Sequence, residues 1–259
     1  MELRTDVYYK GHLLYHAIVQ HKIIYCISIE PEAQAEFSTR SLEIQTEEAL
    51  RLWLDAVPDF SYSGGKVQVV RTDCDSKKYD LRLDIKHLAA DLSSYQVVDP
   101  SIPGEPLHSQ VFINTKWVFQ AVDGKGYSFT DFFKLAPPDV NLENFRAYLQ
   151  SLESKNFVID DLIASTKKTK DAIFWTTYKN LLHEIGHSFG LCDTRTPDLI
   201  RRQCDPNFTP LVQSEHAVMY EPLQFYLTPD DLSGIRSLFA RFAAPPQTAA
   251  TKGTKIAPH

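Results

Sequence analysis

The sequence predicts an α+β fold: a mixed twisted β-sheet with helices packed on it, then a long helix, then a small C-terminal subdomain ending in a helix. Three observations carry this expectation. Segments rich in β-branched and aromatic residues, or alternating apolar with polar, recur at 22–29, 66–72, 79–86 and 109–119. Helical periodicity appears at 46–57, 141–155 and 170–189, and a capped amphipathic stretch closes the chain at 227–239. At 259 residues and 43% hydrophobic content, the chain can bury a large core.

Taken in order, the first twenty residues carry His12 and His16 at helical spacing. With no carboxylate or cysteine pattern beside them, they read as surface histidines. Lys22 to Ile29, KIIYCISI, is followed by Pro31 and reads as a strand. TEEALRLWLDAV predicts a helix capped by Thr46, with Glu47 and Glu48 in its first turn, an end before Pro58, and a buried stripe of Ala49, Leu50, Trp53 and Leu54. After the turn Ser63-Gly64-Gly65, KVQVVRT alternates as a strand, and YDLRLDIK places Leu81, Leu83 and Ile85 on one face of the next. SQVFINTKWVF, Ser109 to Phe119, reads as the last strand. The 120–170 segment reads as an insertion containing one amphipathic helix, with Leu142, Phe145, Leu149 and Leu152 at helical spacing. From Ala243 the tail has almost nothing to bury and is expected to be disordered over 244–259.

A formal charge of -6 and a pI near 5.8 argue against nucleic acid as a partner, because phosphate binding needs a basic surface. No stretch is long and apolar enough to cross a bilayer, and the first twenty residues lack the apolar core of a secretory signal. These observations leave open the cytoplasm, export by a non-classical route, or a sequence shown without its leader, for a chain expected to be a monomer. Cys26, Cys74, Cys192 and Cys204 show no metal-binding spacing. Two expectations stand side by side for them: a Cys192 to Cys204 bond, or four reduced thiols.

The chemistry concentrates in Leu181 to Asp193, LLHEIGHSFGLCD. A helix from about Lys170 to Phe189 gathers Phe174, Tyr178, Leu181, Ile185 and Phe189 along one side and puts His183 and His187 roughly opposite. Histidines at i and i+4 have Cβ atoms about 5–6 Å apart, a span that one zinc ion bridges. Glu184 points elsewhere round the helix and can reach a water at the metal without being a ligand. Gly190 can adopt the left-handed conformation that ends a helix, so that the chain returns Asp193 to the metal. Three protein ligands leave a fourth position for water, which is the pattern of a catalytic zinc. With nine histidines, a bare H-E-x-x-H arises by chance in roughly a few per cent of such chains, and requiring Gly190 and Asp193 lowers this to the order of one in ten thousand.

This stretch resembles the metzincin metalloproteases, whose motif is H-E-x-x-H-x-x-G-x-x followed by His or Asp. Ala217-Val218-Met219-Tyr220 looks like their methionine turn, and LTPDDLSGIRSLF resembles the C-terminal helix of matrixins. Read from the residues, Thr228 caps that helix, Pro229 occupies its first turn, and Asp230 and Asp231 meet the positive end of its dipole. Asp193 stands where matrixins have His, as in the snapalysin-like branch. The His and Asp ligands that matrixins use for a structural zinc and calcium are missing from VFINTKW, and no cysteine switch is visible. The resemblance implies a metzincin-like catalytic domain over 1–243. Its upper subdomain would be 22–190 with the 120–170 insertion, and its lower subdomain 191–243 with the methionine turn and C-terminal helix.

The expected function is zinc-dependent endopeptidase. His183, His187 and Asp193 would hold a single Zn²⁺, and Glu184 would serve as general base toward the attacking water. By resemblance, a protein or peptide substrate would lie extended along an edge strand, with a pocket past the cut bounded by Met219, Tyr220 and Pro222. His216 reads as a loop histidine. An inactive metzincin-like module that binds a protein partner is the alternative from another class, although Glu184 is intact. Two histidines and a carboxylate also suit a non-haem iron oxygenase, in which Glu184 would have no role.

Overall fold

A computed structural model describes residues 14, 17–34, 37–87, 94–97, 108–115, 146, 147, 150, 169–191, 218, 219 and 226–243, with the backbone alone for 94–97, 169–176 and 241–243. Its frame is a five-stranded sheet with helices on it. In chain order the elements are β1 (Lys22–Ile29), α1 (Thr39–Asp55), β2 (Gln68–Arg71), β3 (Leu81–Lys86), β4 (Ser94–Val97), β5 (Ser109–Asn114), α2 (Thr169–Ser188) and α3 (Pro229–Ala243). Across the sheet the strands run β2-β1-β3-β5-β4. The β1–β2, β1–β3 and β3–β5 pairs are parallel, and β4 alone runs antiparallel against β5. The fold is therefore mixed α and β, with α1 as the crossover between two adjacent parallel strands.

The register explains where the core lies. Tyr25 pairs with Leu81, Ile27 with Leu83 and Ile29 with Ile85, and those three β3 residues pair in turn with Ser109, Val111 and Ile113. Side chains alternate across a strand, so this row forms one face, and its β3 and β5 members are essentially inaccessible to solvent. On that face lie α1 and α2, which also pack on each other. The opposite face is polar but partly enclosed: the buried Asp84 carboxylate accepts hydrogen bonds from Arg82 and Gln110, while Lys86 Nζ lies 4.0 Å from the centre of the Phe112 ring.

Several expectations change. Helix α1 begins two turns earlier than Thr46, at Thr39, with Ser38 as the cap accepting from Ser41 N at 3.5 Å. Thr46 followed by two glutamates mimics a helix start, but its hydroxyl donates to Leu42 O at 2.6 Å inside a continuous helix. The stripe of Ala49, Leu50, Trp53 and Leu54 is fully buried. The last predicted strand ends at Asn114, and 116–119 lie outside the described residues. Strand β4, SYQV, has no counterpart in the sequence reading: four residues give too short a pattern to stand out, and pairing with β5 defines it. Outside the described residues lie His12, His16, the 244–259 tail and the 141–155 helix apart from residues 146, 147 and 150, which are helical.

The expectation of four reduced thiols is corrected. Cys26, buried in β1, is bonded to Cys74 in the turn after β2, whereas Cys192 and Cys204 lie outside the described residues. The bond joins positions 48 apart in sequence and ties the edge strand β2 to the sheet, so in a chain-entropy account it contributes about 4 kcal/mol. Replacing both cysteines by alanine should lower the free energy of unfolding, measured in urea, by roughly 2–4 kcal/mol. An unchanged midpoint, with the wild type reactive to thiol reagents at both positions, would contradict the pairing.

Candidate active site

Helix α2 is the element on which the candidate residues sit. Its apolar side is as the wheel predicts: Tyr178, Leu181, Ile185 and Phe189 are buried, while the side chain of Phe174 lies outside the described residues. Burial, with the Glu48 charge beside it, pushes the Tyr178 hydroxyl well above the usual phenol range, which keeps it neutral within the core. The other side is less open than the wheel implies, because Leu182 is fully buried, His183 is 8% exposed and Glu184 4%. Only His187 is half-buried along this stretch. Trp53 of α1 and the turn at Val218-Met219 cover the side that a lone amphipathic helix would leave to solvent.

Gly186 marks where that cover presses closest. A Cβ placed on it would come within 2.4 Å of Met219 Sδ and 2.8 Å of Trp53 Cζ2. Trp53 cannot retreat, since its ring is fully buried and its Nε1 donates to Leu182 O at 2.9 Å. The glycine inside H-E-I-G-H is thus the clearance that lets a methionine and a tryptophan seat directly against the histidine-bearing turn.

The helix ends as Gly190 predicts. Gly190 takes φ 95°, its N–H donates to His187 O at 2.8 Å, and Leu191 N–H donates to Gly186 O at 3.2 Å. This pair of bonds is a Schellman motif, in which a left-handed residue lets the chain satisfy the last carbonyls and turn away. One consequence reaches the site directly: the turn delivers Leu191 O to His187 Nδ1, 2.8 Å away.

His183 is held in the same manner from another element. Its Nδ1 lies 2.7 Å from Val218 O in a buried bond. A carbonyl only accepts, so in both histidines Nδ1 is the donor and carries the proton, which leaves Nε2 as a lone-pair donor in the neutral ring. The two rings lie 4.7 Å apart between centroids and 85° from coplanar. Paired imidazoles with Nδ1 fixed by carbonyls are what a zinc ion requires of two ligands, so this donor set fits the metal. Among the described residues no group of three or more His, Cys, Asp or Glu is placed to hold a metal. Asp193, Tyr220, Pro222 and His216 lie outside those residues, as does the rest of the 191–217 connection beyond Leu191.

Asp231 is the residue whose role the sequence reading understates. As predicted, α3 starts at Pro229 after Thr228, with Asp230 and Asp231 in its first turn. Thr228 and Asp231 cap each other: Thr228 N and Oγ1 donate to Asp231 Oδ2 at 2.9 and 2.7 Å, and Asp231 N donates to Thr228 Oγ1 at 3.4 Å. The same buried carboxylate also accepts from Val218 N at 3.0 Å and Met219 N at 3.1 Å. It therefore fixes the peptide whose carbonyl meets His183 and the residue whose sulfur meets Gly186. The capping pattern T-P-D-D is legible in sequence, but nothing local reveals that its carboxylate reaches across to a turn twelve residues back. Helix α3 is docked in turn by Arg236 Nε on Ala56 O at 2.8 Å and by Phe239, whose ring centre is 5.3 Å from Phe60 and 6.3 Å from Phe189.

The chain matches no protein-family model, and no curated protein is similar to it.

Two substitutions test this arrangement. Gly186→Ala improves intrinsic helix propensity by about 1 kcal/mol, yet overpacking against Trp53 and Met219 costs about 1–3 kcal/mol, so urea unfolding should show net destabilisation. Equal or greater stability would mean that the contact is looser than described. Asp231→Ala leaves the Val218 and Met219 N–H groups unsatisfied, at about 1–3 kcal/mol each, and should lower stability by about 2–6 kcal/mol by the same measurement.

Proposed function

We propose that the chain is a zinc-dependent endopeptidase with a metzincin-like arrangement of sheet, active-site helix and methionine turn. The observation that carries this reading is the paired fixing of His183 and His187 through Nδ1 to Val218 O and Leu191 O. The order of the motif, H-E-x-x-H-x-x-G-x-x-D, supports it, as does the seating of Met219 against Gly186. His183, His187 and Asp193 would be the protein ligands of one zinc ion. When bound, the metal supplies Lewis acidity, polarising the scissile carbonyl and making the attacking water easier to deprotonate.

Glu184 does the proton chemistry. It follows His183 by one residue, about 100° further round the helix, so it borders the site without competing as a ligand. In that place its carboxylate takes the proton from the attacking water and passes it to the leaving amine. Its burial shields the carboxylate from bulk water and makes it a stronger acceptor for the first transfer.

The sheet offers a place for the substrate. Strand β4 lies at one end of the sheet beside β5, and α2 packs against both. An extended peptide can add to such an edge through backbone hydrogen bonds, which bind without demanding a particular sequence. The pocket beyond the cut would be bounded by Met219, Tyr220 and Pro222.

Purified protein should contain about one zinc ion per chain and cleave unstructured protein substrates, while Glu184→Ala should keep the zinc and lose at least about 100-fold in kcat/KM. Chelation should abolish cleavage and added zinc restore it. A protein that binds no zinc, or an alanine variant as active as wild type, would overturn the proposal. Full zinc occupancy with peptide binding but no cleavage would favour the protein-binding module instead.

A further inference from the structure

Strand β2 stops at Arg71, which pairs with Tyr25, whereas β1 continues from Cys26 to Ile29. The turn that follows β2 explains the early end. Asp73 accepts from Asp75 N at 3.0 Å, and Cys74 between them is bonded to Cys26, so the chain is drawn toward the sheet face opposite Tyr25. On the face that carries α1, a cavity of about 550 Å³ lies where a longer β2 would run. Ile27, Ile29 and Phe37 give it apolar walls, and Arg71, Ser38 and Thr39 give it polar ones.

Those polar groups are weighted toward donors. Arg71 gives Nη1 to Glu43, and Glu43 divides its two oxygens between Arg71 and Arg40. Nε and Nη2 of Arg71 meet no acceptor among the described residues, and the side chain is 43% exposed. Ser38 Oγ accepts from Ser41 N at 3.5 Å, which leaves its own hydrogen to donate, and the Thr39 hydroxyl is a further donor. Among the described residues no aspartate or glutamate lines the cavity.

Its place in the sheet is a second, independent indication. Helix α1 carries the chain from β1 outward to β2, whereas β3 leads to β5 and β4 on the other side, so the direction of winding reverses between β1 and β3. The cavity stands at the carboxyl end of β1, beside that reversal. Diverging connections leave a crevice at such points, and open parallel sheets hold small ligands there.

We propose that this cavity binds a small organic carboxylate, with its carboxylate on Arg71, Ser38 and Thr39 and its hydrocarbon body against Ile27, Ile29 and Phe37. A guanidinium fork matches the planar carboxylate, and the apolar walls favour a ligand that carries hydrocarbon over a bare inorganic anion. The volume falls within the roughly 300–1,000 Å³ of small-molecule sites. No lining residue belongs to the histidine motif, so the proposal stands apart from the endopeptidase reading.

Calorimetric titration of the full chain with 3-phenylpropionate, hexanoate, 3-phenylpropionamide and inorganic phosphate tests it. Both carboxylates should bind, with the amide and phosphate at least about tenfold weaker, the scale of one hydrogen bond to a charged group. Arg71→Met should weaken the carboxylates at least about tenfold. Arg71→Lys keeps a cation for Glu43 but loses the fork and should weaken them several-fold, whereas Glu43→Gln removes the competing carboxylate and should tighten them. Unfolding midpoints in urea close to that of wild type show that the variants remain folded. Neither carboxylate binding up to about 10 mM, an amide or phosphate bound as tightly, or undiminished binding in Arg71→Met overturns the proposal and leaves the endopeptidase reading untouched.

Discussion

The hydrogen bond between His183 Nδ1 and Val218 O is the interaction on which the rest of the site depends. It fixes a ring on α2 by means of a carbonyl from a distant turn, and that carbonyl is useful only while its own peptide stays still. Asp231 holds that peptide by accepting from Val218 and Met219 N–H. Thr228 holds Asp231, and α3, which the pair caps, is held by Ala56 and by the Phe60 and Phe189 rings. A perturbation at Val218, Thr228 or Asp231 reaches the imidazole, because those groups are buried and no water can replace a lost partner.

His187 is fixed by a shorter route. Its carbonyl partner, Leu191 O, lies four residues away and is delivered by the left-handed Gly190. The two histidines are thus oriented by different means, one local and one tertiary. They should respond differently to substitution: changes at Gly190 act on His187 first, whereas changes in α3 act on His183. Gly186 lies between them and lets Trp53 and Met219 close the space under both. The sheet supplies the rigid backing, with α2 resting on β5 and β4 and α1 bracing it through the Trp53 bond to Leu182 O.

How much of this the sequence shows depends on how local each cause is. Strand β3 and helix α2 are legible because the period of their apolar residues matches their structure over six residues or more, and β1 because β-branched and aromatic residues dominate it. Gly190 and Thr228 are legible because termination and capping are decided within a turn of the helix. The start of α1 is misread because Thr46 with Glu47 and Glu48 carries a genuine cap pattern that packing overrides. Strand β4, the Cys26–Cys74 bond and the reach of Asp231 to the Val218 turn are invisible in advance, since each is created by residues brought together from different parts of the chain. The closeness of the two histidines was legible from their spacing, and the carbonyls that orient them were not.

Polarising a carbonyl and moving a proton require groups held in place before substrate arrives, and the oriented pair of imidazoles beside Glu184 has that character. The most direct test of the central claim is a zinc K-edge X-ray absorption spectrum of the purified, metal-loaded protein. The account predicts two imidazole nitrogens at about 2.0–2.1 Å with the remaining ligands oxygen, and imidazole scattering reduced to that of one ring in His183→Ala. A spectrum dominated by sulfur at about 2.3 Å, or a protein that retains no zinc at all, would contradict it.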